Sequence, residues 1–139
     1  MISKIKGVTL INFPNVLAER GNLTALELPE IVPFNVKRIF LVHRVTNTQV
    51  RGEHAHKKCW QLLIAANGSV SVDLSDGECM DTFKLDNPNE GLVIPPLTWG
   101  TQYNFSKHAA LLVLASDAYD EKDYIHDFHE FKKIKSHDS

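Results

Sequence analysis

An all-β sandwich or barrel is the fold class predicted by this chain of 139 residues. Three observations carry that expectation. Roughly nine or ten short apolar runs follow one another, separated by turn signals about every 8–12 residues. Long amphipathic helical periodicity and βαβ alternation are missing from the sequence, as are repeats and low-complexity segments. The longest apolar run, residues 62–66, has the length of a strand and falls far short of the ~20 residues that cross a bilayer.

Each element can be justified in order. Residues 8–13 read as a short strand. Arg20-Gly21-Asn22 is a turn before residues 23–28, which alternate apolar and polar side chains. Pro29 and Pro33 break the chain, and residues 36–45 are the next strand candidate. The run Arg51-Gly52-Glu53-His54-Ala55-His56-Lys57-Lys58 follows. Residues 59–66 show little alternation, which predicts a strand buried on both faces. Asn67-Gly68 is a strong turn signal, after which Val70, Val72 and Leu74 alternate with Ser71 and Asp73. Asp76-Gly77 is a second turn signal, and residues 82–85 alternate again. Asn87-Pro88-Asn89 is a loop, and residues 91–94 form a strand ended by Pro95-Pro96. Residues 99–105 and 109–115 are two more strands, the second buried. After Ser116 the texture changes. Tyr119, Asp120, Glu121, Asp123, Tyr124, Asp127, Phe128 and Phe131 predict a short helix or irregular tail lying on the barrel. The polar residues 132–139 are expected to fray.

The length fits one domain over residues 1–139. A hydrophobic content of 43% with 23% charged residues is enough to bury one core. A net charge of −2 gives no electrostatic case for nucleic acid or an anionic membrane surface as a partner. Residues 1–11 lack a signal-peptide apolar region and cleavage site. Cys59 and Cys79 form no C-x-x-C pair and cannot staple a chain of this size, so a reduced, cytoplasmic protein is expected.

The chemistry concentrates at His54 and His56. Residues two apart on a strand share a face, so the two imidazoles project together, while Glu53 turns to the other side. Such a pair is either a metal site or an acid/base site. Cupin barrels carry a two-part metal pattern, and this chain is similar to it in spacing. Gln61 stands where the metal-binding glutamate belongs, and Gly100 stands at the third histidine. Two imidazoles and a neutral amide are a poor set for a divalent ion. His43, His108, His126, His129 and His137 show no ligand spacing to the pair and read as surface residues. Without a metal, the pair suits proton transfer, since imidazole titrates near neutral pH, and Arg51 is placed to hold an anion. A half-solvated pair at a strand end with no role stays open on spacing alone.

Further motifs narrow the reading. These are Pro33-Phe34-Asn35-Val36-Lys37-Arg38, the histidine run, Gly68-Ser69, Asp76-Gly77, and Gly91-Leu92 with Pro95-Pro96 and Trp99. To them add the stretch from Leu111 to Asp117 and the tail Tyr119-Asp120-Glu121-x-Asp123-Tyr124-Ile125-x-Asp127-Phe128-x-x-Phe131. Together they resemble the dTDP-sugar 3,4-ketoisomerase family, cupins that include the WxcM-like domains. The resemblance spans about residues 7–131. It implies a cupin (RmlC-like) β-barrel or jelly roll with a short C-terminal helical tail. It also implies conversion of dTDP-4-keto-6-deoxyglucose to a dTDP-3-keto-6-deoxyhexose through an enediolate, for surface polysaccharide such as O-antigen. No metal or other cofactor is implied, and the expected assembly is a homodimer that exchanges strands. On this reading His54, His56 and Arg51 are the catalytic set, with His56 favoured as the base. Arg51, Lys57, Gln61, Trp99 and Tyr103 are the candidate substrate-binding residues, Trp99 being equally readable as a tryptophan of the barrel wall. The chain departs from the family pattern in three places. Phe40 and Leu41 stand where relatives carry tyrosines, Gly100 replaces a polar or basic residue, and His126 replaces an arginine in the tail. A non-catalytic dTDP-sugar-binding module and a metal-dependent cupin enzyme are the competing readings.

Overall fold

Two antiparallel five-stranded sheets face each other across an apolar interior, as the alternating and non-alternating runs predict. The computed structural model describes residues 3–138. In chain order the strands are β1 (Thr9–Asn12), β2 (Asn15–Val16), β3 (Leu23–Thr24), β4 (Arg38–His43), β5 (Arg51–His56), β6 (Gln61–Asn67), β7 (Val70–Ser75), β8 (Met80–Leu85), β9 (Glu90–Ile94), β10 (Trp99–Tyr103), β11 (Ala110–Ala115) and β12 (Tyr124–Ile125). The first sheet runs β1-β9-β6-β11-β4 and the second β12-β5-β10-β7-β8, while β2 and β3 form a separate small hairpin. The second sheet shows why alternation is a reliable signal. Val70, Val72 and Leu74 of β7 point inward and are fully buried, while Ser71, Asp73 and Ser75 are half-buried.

The first sheet is buried on both sides, which explains the unbroken apolar runs. Leu63, Ala65, Leu92, Leu111 and Val113 face the interior with Val70, Phe83 and Phe105. Leu62, Ile64, Val93 and Leu114 face out and are covered by Phe13 and Val32, with Leu26, Ile31, Phe34 and Val36. Only Leu23–Thr24 of the expected strand at residues 23–28 pairs, with Asn15–Val16; Leu26, further along, packs over the sheet instead.

The tail is more ordered than its polarity suggests. A 3-10 helix, Glu121–Asp123, leads into β12, and an α-helix, α1 (Phe128–Asp138), follows. Asp127 caps α1, its Oδ1 accepting from the backbone N–H groups of His129 at 2.7 Å and Glu130 at 3.1 Å. Phe131 is fully buried with Ala55, Leu97 and Ile125 on the outer face of the second sheet. This one aromatic anchor holds helical most of the segment expected to fray; Ser139 lies outside the described residues.

Gly91 marks the tightest place in the double layer. A Cβ there would lie 2.5 Å from Phe13 Cζ and 2.7 Å from Leu62 Cδ1. Both neighbours are packed rings or branched chains, so they have little room to move. Gly91→Ala is expected to destabilise the protein by about 1–3 kcal/mol in urea unfolding. An unchanged midpoint would show that the outer layer is looser than this packing indicates.

Candidate active site

β4 and the β12-β5 pair edge their sheets on the same side, and a cavity of about 250 Å³ opens there. Its walls are Phe40 and Val42 from β4, Val113 and Gln61 from the first sheet, and Arg51, Gly52, His54, Gln102 and Tyr124 from the second. A β-bulge in β5 makes this wall. Gly100 pairs with His54 and Thr101 with Gly52, so Glu53 is the extra residue. Gly52 (φ +84°) and Glu53 (φ +57°) both lie in the left-handed region. Strict alternation would turn Arg51 away from His54; the bulge brings both to the cavity. Gly52 has to be glycine, because a Cβ would stand 2.9 Å from the Gly100 carbonyl oxygen.

His54 and His56 do share a face, with ring centroids 5.0 Å apart and planes at 88°. Their surroundings differ. His54 lies on the cavity wall. His56 is buried behind it. Its Nδ1 lies 3.0 Å from Asp123 Oδ2, which fixes the N–H on Nδ1 because the carboxylate can only accept. Its Nε2 is buried and has no hydrogen-bond partner. Asp123 is itself held. Oδ1 accepts from Lys58 N at 2.8 Å, Oδ2 accepts from Cys59 N at 3.3 Å, and the Asp123 carbonyl accepts from Lys57 N at 2.8 Å.

Tyr124 covers both imidazoles, its ring centroid 4.9 Å from His54 and 4.4 Å from His56. On the outside it stacks with His126 at 5.5 Å and 8°. His126 Nε2 bonds Glu121 Oε1 at 2.8 Å, and Tyr119 Oη donates to Glu121 Oε2 at 2.8 Å.

The other candidates divide. Gln61 lines the cavity, as expected of a residue in the former carboxylate position. Gly100 sits beside His54 in register, so the third imidazole is missing from the right place. Trp99 is on the opposite face of β10, packed against Phe128 at 5.3 Å and Phe131 at 5.8 Å, and is a wall residue. Tyr103 is not in the cavity lining either; its hydroxyl donates to Asp73 Oδ1 at 2.8 Å. Lys57 is exposed and outside the lining. Sequence reasoning gave no role to Asp123, Tyr124 or Gln102. Gln102 could have been found by counting two from Gly100; Asp123 and Tyr124 lie ~70 residues from the histidines and carried only a motif signal.

Donor atoms of His56, Cys59 and Asp123 lie within 4.8 Å of one another, the one such buried trio among the described residues. The Asp123 oxygens already accept from the His56 ring and two backbone N–H groups, so an ion there would have to displace them. Across the cupin positions, two imidazoles, an amide and a glycine fit a divalent ion poorly.

Residues 6–136 match the family model described as FdtA: WxcM-like, C-terminal. The chain belongs to this family. It is 41% identical over 124 residues to the TDP-4-oxo-6-deoxy-alpha-D-glucose-3,4-oxoisomerase of Aneurinibacillus thermoaerophilus, covering 89% of each chain. Among solved members of the ketoisomerase family, a mutant of the 3,4-ketoisomerase QdtA from Thermoanaerobacterium thermosaccharolyticum, in complex with TDP-4-keto-6-deoxyglucose, superposes with a TM-score of 0.93. It is 35% identical, over 96% of each chain. A 3,4-ketoisomerase from Helicobacter canadensis superposes with a TM-score of 0.90 at 40% identity, covering 94% of this chain and 98% of that one. The cupin-like barrel predicted from the motifs is therefore the ketoisomerase fold.

Both imidazoles resist protonation. Burial, then the neighbouring His56, lowers His54 from 6.5 to about 4. Burial lowers His56 as well, opposed by its hydrogen bond to Asp123. The folded protein thus binds fewer protons than the unfolded chain from pH 6.5 down to about 4, and stability falls as the pH drops through that window. The His54 shift corresponds to a loss of about 3 kcal/mol by the bottom of the window. Urea unfolding at steps across it should show this loss, and a His54→Asn variant should lose less. Equal slopes for the two proteins would place the titration elsewhere.

Proposed function

We infer that the chain is a 3,4-ketoisomerase acting on dTDP-4-keto-6-deoxyglucose. The observation that carries the mechanism is the neutral His54 on the cavity wall, backed by a His56 that Asp123 holds in one tautomer. Moving a carbonyl from C4 to C3 needs a base that takes the C3 proton, which the C4 carbonyl acidifies. The C3–H electron pair becomes the C3=C4 bond, and the carbonyl pair moves to O4, giving an enediolate. Transfer of the O3 proton to O4 and return of the base's proton to C4 then leave the carbonyl at C3, with no net oxidation.

His54 is the better base on access, because it faces the cavity and His56 does not. A base must be neutral at working pH, and a pKa near 4 keeps it so. His56, with its Nε2 lone pair unpaired, acts from behind as relay or positioning group. Arg51, exposed at the mouth, suits the diphosphate, and its planar fork matches phosphate oxygens. Gln61 and Gln102 offer amide hydrogen bonds to the sugar hydroxyls.

Incubation of the protein with dTDP-4-keto-6-deoxyglucose, followed by proton NMR, tests the reading. A 3-keto product is expected from the wild type. His54→Asn should cut turnover by about 10²–10⁴-fold. Asp123→Asn should cut it less, by loosening the His56 tautomer. Full turnover by His54→Asn would remove it as the base.

A homodimer with exchanged strands belongs to the same reading. Ile39 and Leu41 of the edge strand β4 are 60% and 57% exposed, and Val16, Leu17 and Leu23 are exposed on and beside the β2–β3 hairpin. Ile39→Lys combined with Leu41→Lys should shift sedimentation from dimer to monomer; an unchanged dimer would put its interface elsewhere. Two free cysteines suit the reducing cytoplasm, where activated sugars for surface polysaccharide are made.

A further inference from the structure

Arg38 is a cation that no carboxylate among the described residues pairs with. It begins β4, where Arg38, Phe40 and Val42 share the inward face and Ile39, Leu41 and His43 are exposed. Strand register places it in a row. Arg38 pairs with Ala115, and Ala115 pairs on its other side with Gln61. Paired residues face the same side, so Arg38 and Gln61 flank the small methyl of Ala115. Phe40, Val42 and Gln61 all line the cavity, and Arg38 borders them on the same face of the sheet.

The guanidinium is fixed but unpaired. Its Cζ lies 5.1 Å from the Phe40 ring centroid and 5.7 Å from that of Tyr119. Two aromatic faces orient a cation without cancelling its charge. Its Nε is buried and has no hydrogen-bond partner, and among the described residues no carboxylate lies within ion-pair distance of it. A buried donor left unmade costs about 1–3 kcal/mol, a penalty that an anionic ligand would remove.

We propose that Arg38 holds the oxyanion of the enediolate, a role separate from that of Arg51 at the mouth. This inference rests on the isomerase reading. The reaction moves negative charge onto O4 as the C3–H bond breaks, and a preoriented cation bordering the cavity lining stabilises that charge. Burial holds His56 neutral, opposed by its hydrogen bond to Asp123, and the charge of Arg38 adds to the effect of burial.

The test compares Arg38→Gln and Arg38→Lys with the wild type in three measurements: turnover of dTDP-4-keto-6-deoxyglucose, TDP affinity by calorimetry, and the pH profile of kcat/KM. A role in the transition state predicts a kcat about 10²–10³-fold lower for Arg38→Gln, with TDP affinity and KM within about threefold of the wild type. Arg38→Lys should recover part of the loss, and the acid limb, set by His54, should stay at its wild-type position in Arg38→Gln. A kcat within threefold of the wild type would overturn the proposal. So would a loss of TDP affinity matching the loss of turnover, which would make Arg38 a diphosphate anchor. Should Arg38→Gln not fold, Arg38→Met, which keeps an apolar stem and removes the charge, carries the same comparison. A wild type without turnover overturns the isomerase reading and this role together; an active wild type with fully active variants overturns this role alone.

Discussion

The structure of the site depends on one buried carboxylate. Asp123 belongs to the tail, yet its oxygens bond the His56 ring and the backbone of Lys58 and Cys59, just after β5. Its carbonyl takes the Lys57 N–H, and β12 then pairs Tyr124 with His56 and Ile125 with Ala55. The same residue therefore closes the sheet edge, fixes a histidine tautomer and delivers Tyr124 over both imidazoles. Its burial is sustained because three donors surround it. If the side chain were apolar, the end of β5 would lose two backbone partners and His56 its orientation together. Structure and chemistry are coupled here through hydrogen bonds rather than through mere proximity.

The scaffold behind the site is rigid for a different reason. The first sheet has cores on both faces, one against the second sheet and one under residues 13–36. The second sheet is covered outside by α1 through Phe131, with Trp99 between them. Apolar packing is thus complete around three sides of the sandwich, and polar groups gather along the one edge where neither sheet continues. A local irregularity aims them. The left-handed Gly52 and Glu53 shift the register of β5, so that Arg51 joins His54 on one wall. Bulges do this at the cost of ladder pairing, and they occur where a side chain must be re-aimed.

Period-two patterns were legible in the sequence wherever one face met the core and the other did not, as in β7. The unbroken runs of β6 and β11 were legible as doubly buried strands. The sharing of a face by His54 and His56 followed from the same rule, and Gln61 from the cupin spacing. Arg51 was chosen for its chemistry, yet the alternation rule alone would have turned it outward; a bulge is a three-dimensional choice that no period encodes. Trp99 and Tyr103 were read as possible lining residues because aromatic side chains suit a nucleotide, but odd positions of β10 face away from the cavity that Gln102 enters. Asp123 and Tyr124 were visible only as a tail motif, because their partners are distant in the chain. The helix through residues 132–138 was hidden by its polarity, since one buried ring, Phe131, supplies most of its anchoring.

The replacement of a carboxylate by Gln61 has a consequence beyond weakening a metal site. Gln61 lies across Ala115 from Arg38, on the same face of the sheet. A glutamate at that position would put a negative charge within reach of the guanidinium and cancel the field it casts into the cavity. It would also favour protonated imidazoles, raising the pKa values that burial now lowers. On the proposed roles, a base that must be neutral, beside a cation that must stay free, requires a wall without carboxylates. The cavity has such a wall. Its two amides, Gln61 and Gln102, keep hydrogen-bonding capacity while adding no charge, and the carboxylates nearby are spent elsewhere, Asp123 on His56 and Glu121 on His126. On the isomerase reading, the poor fit to a metal and the fitness for proton transfer both follow from one pattern, in which neutral donors stand where a metal site needs anionic ones, around a pair of buried imidazoles.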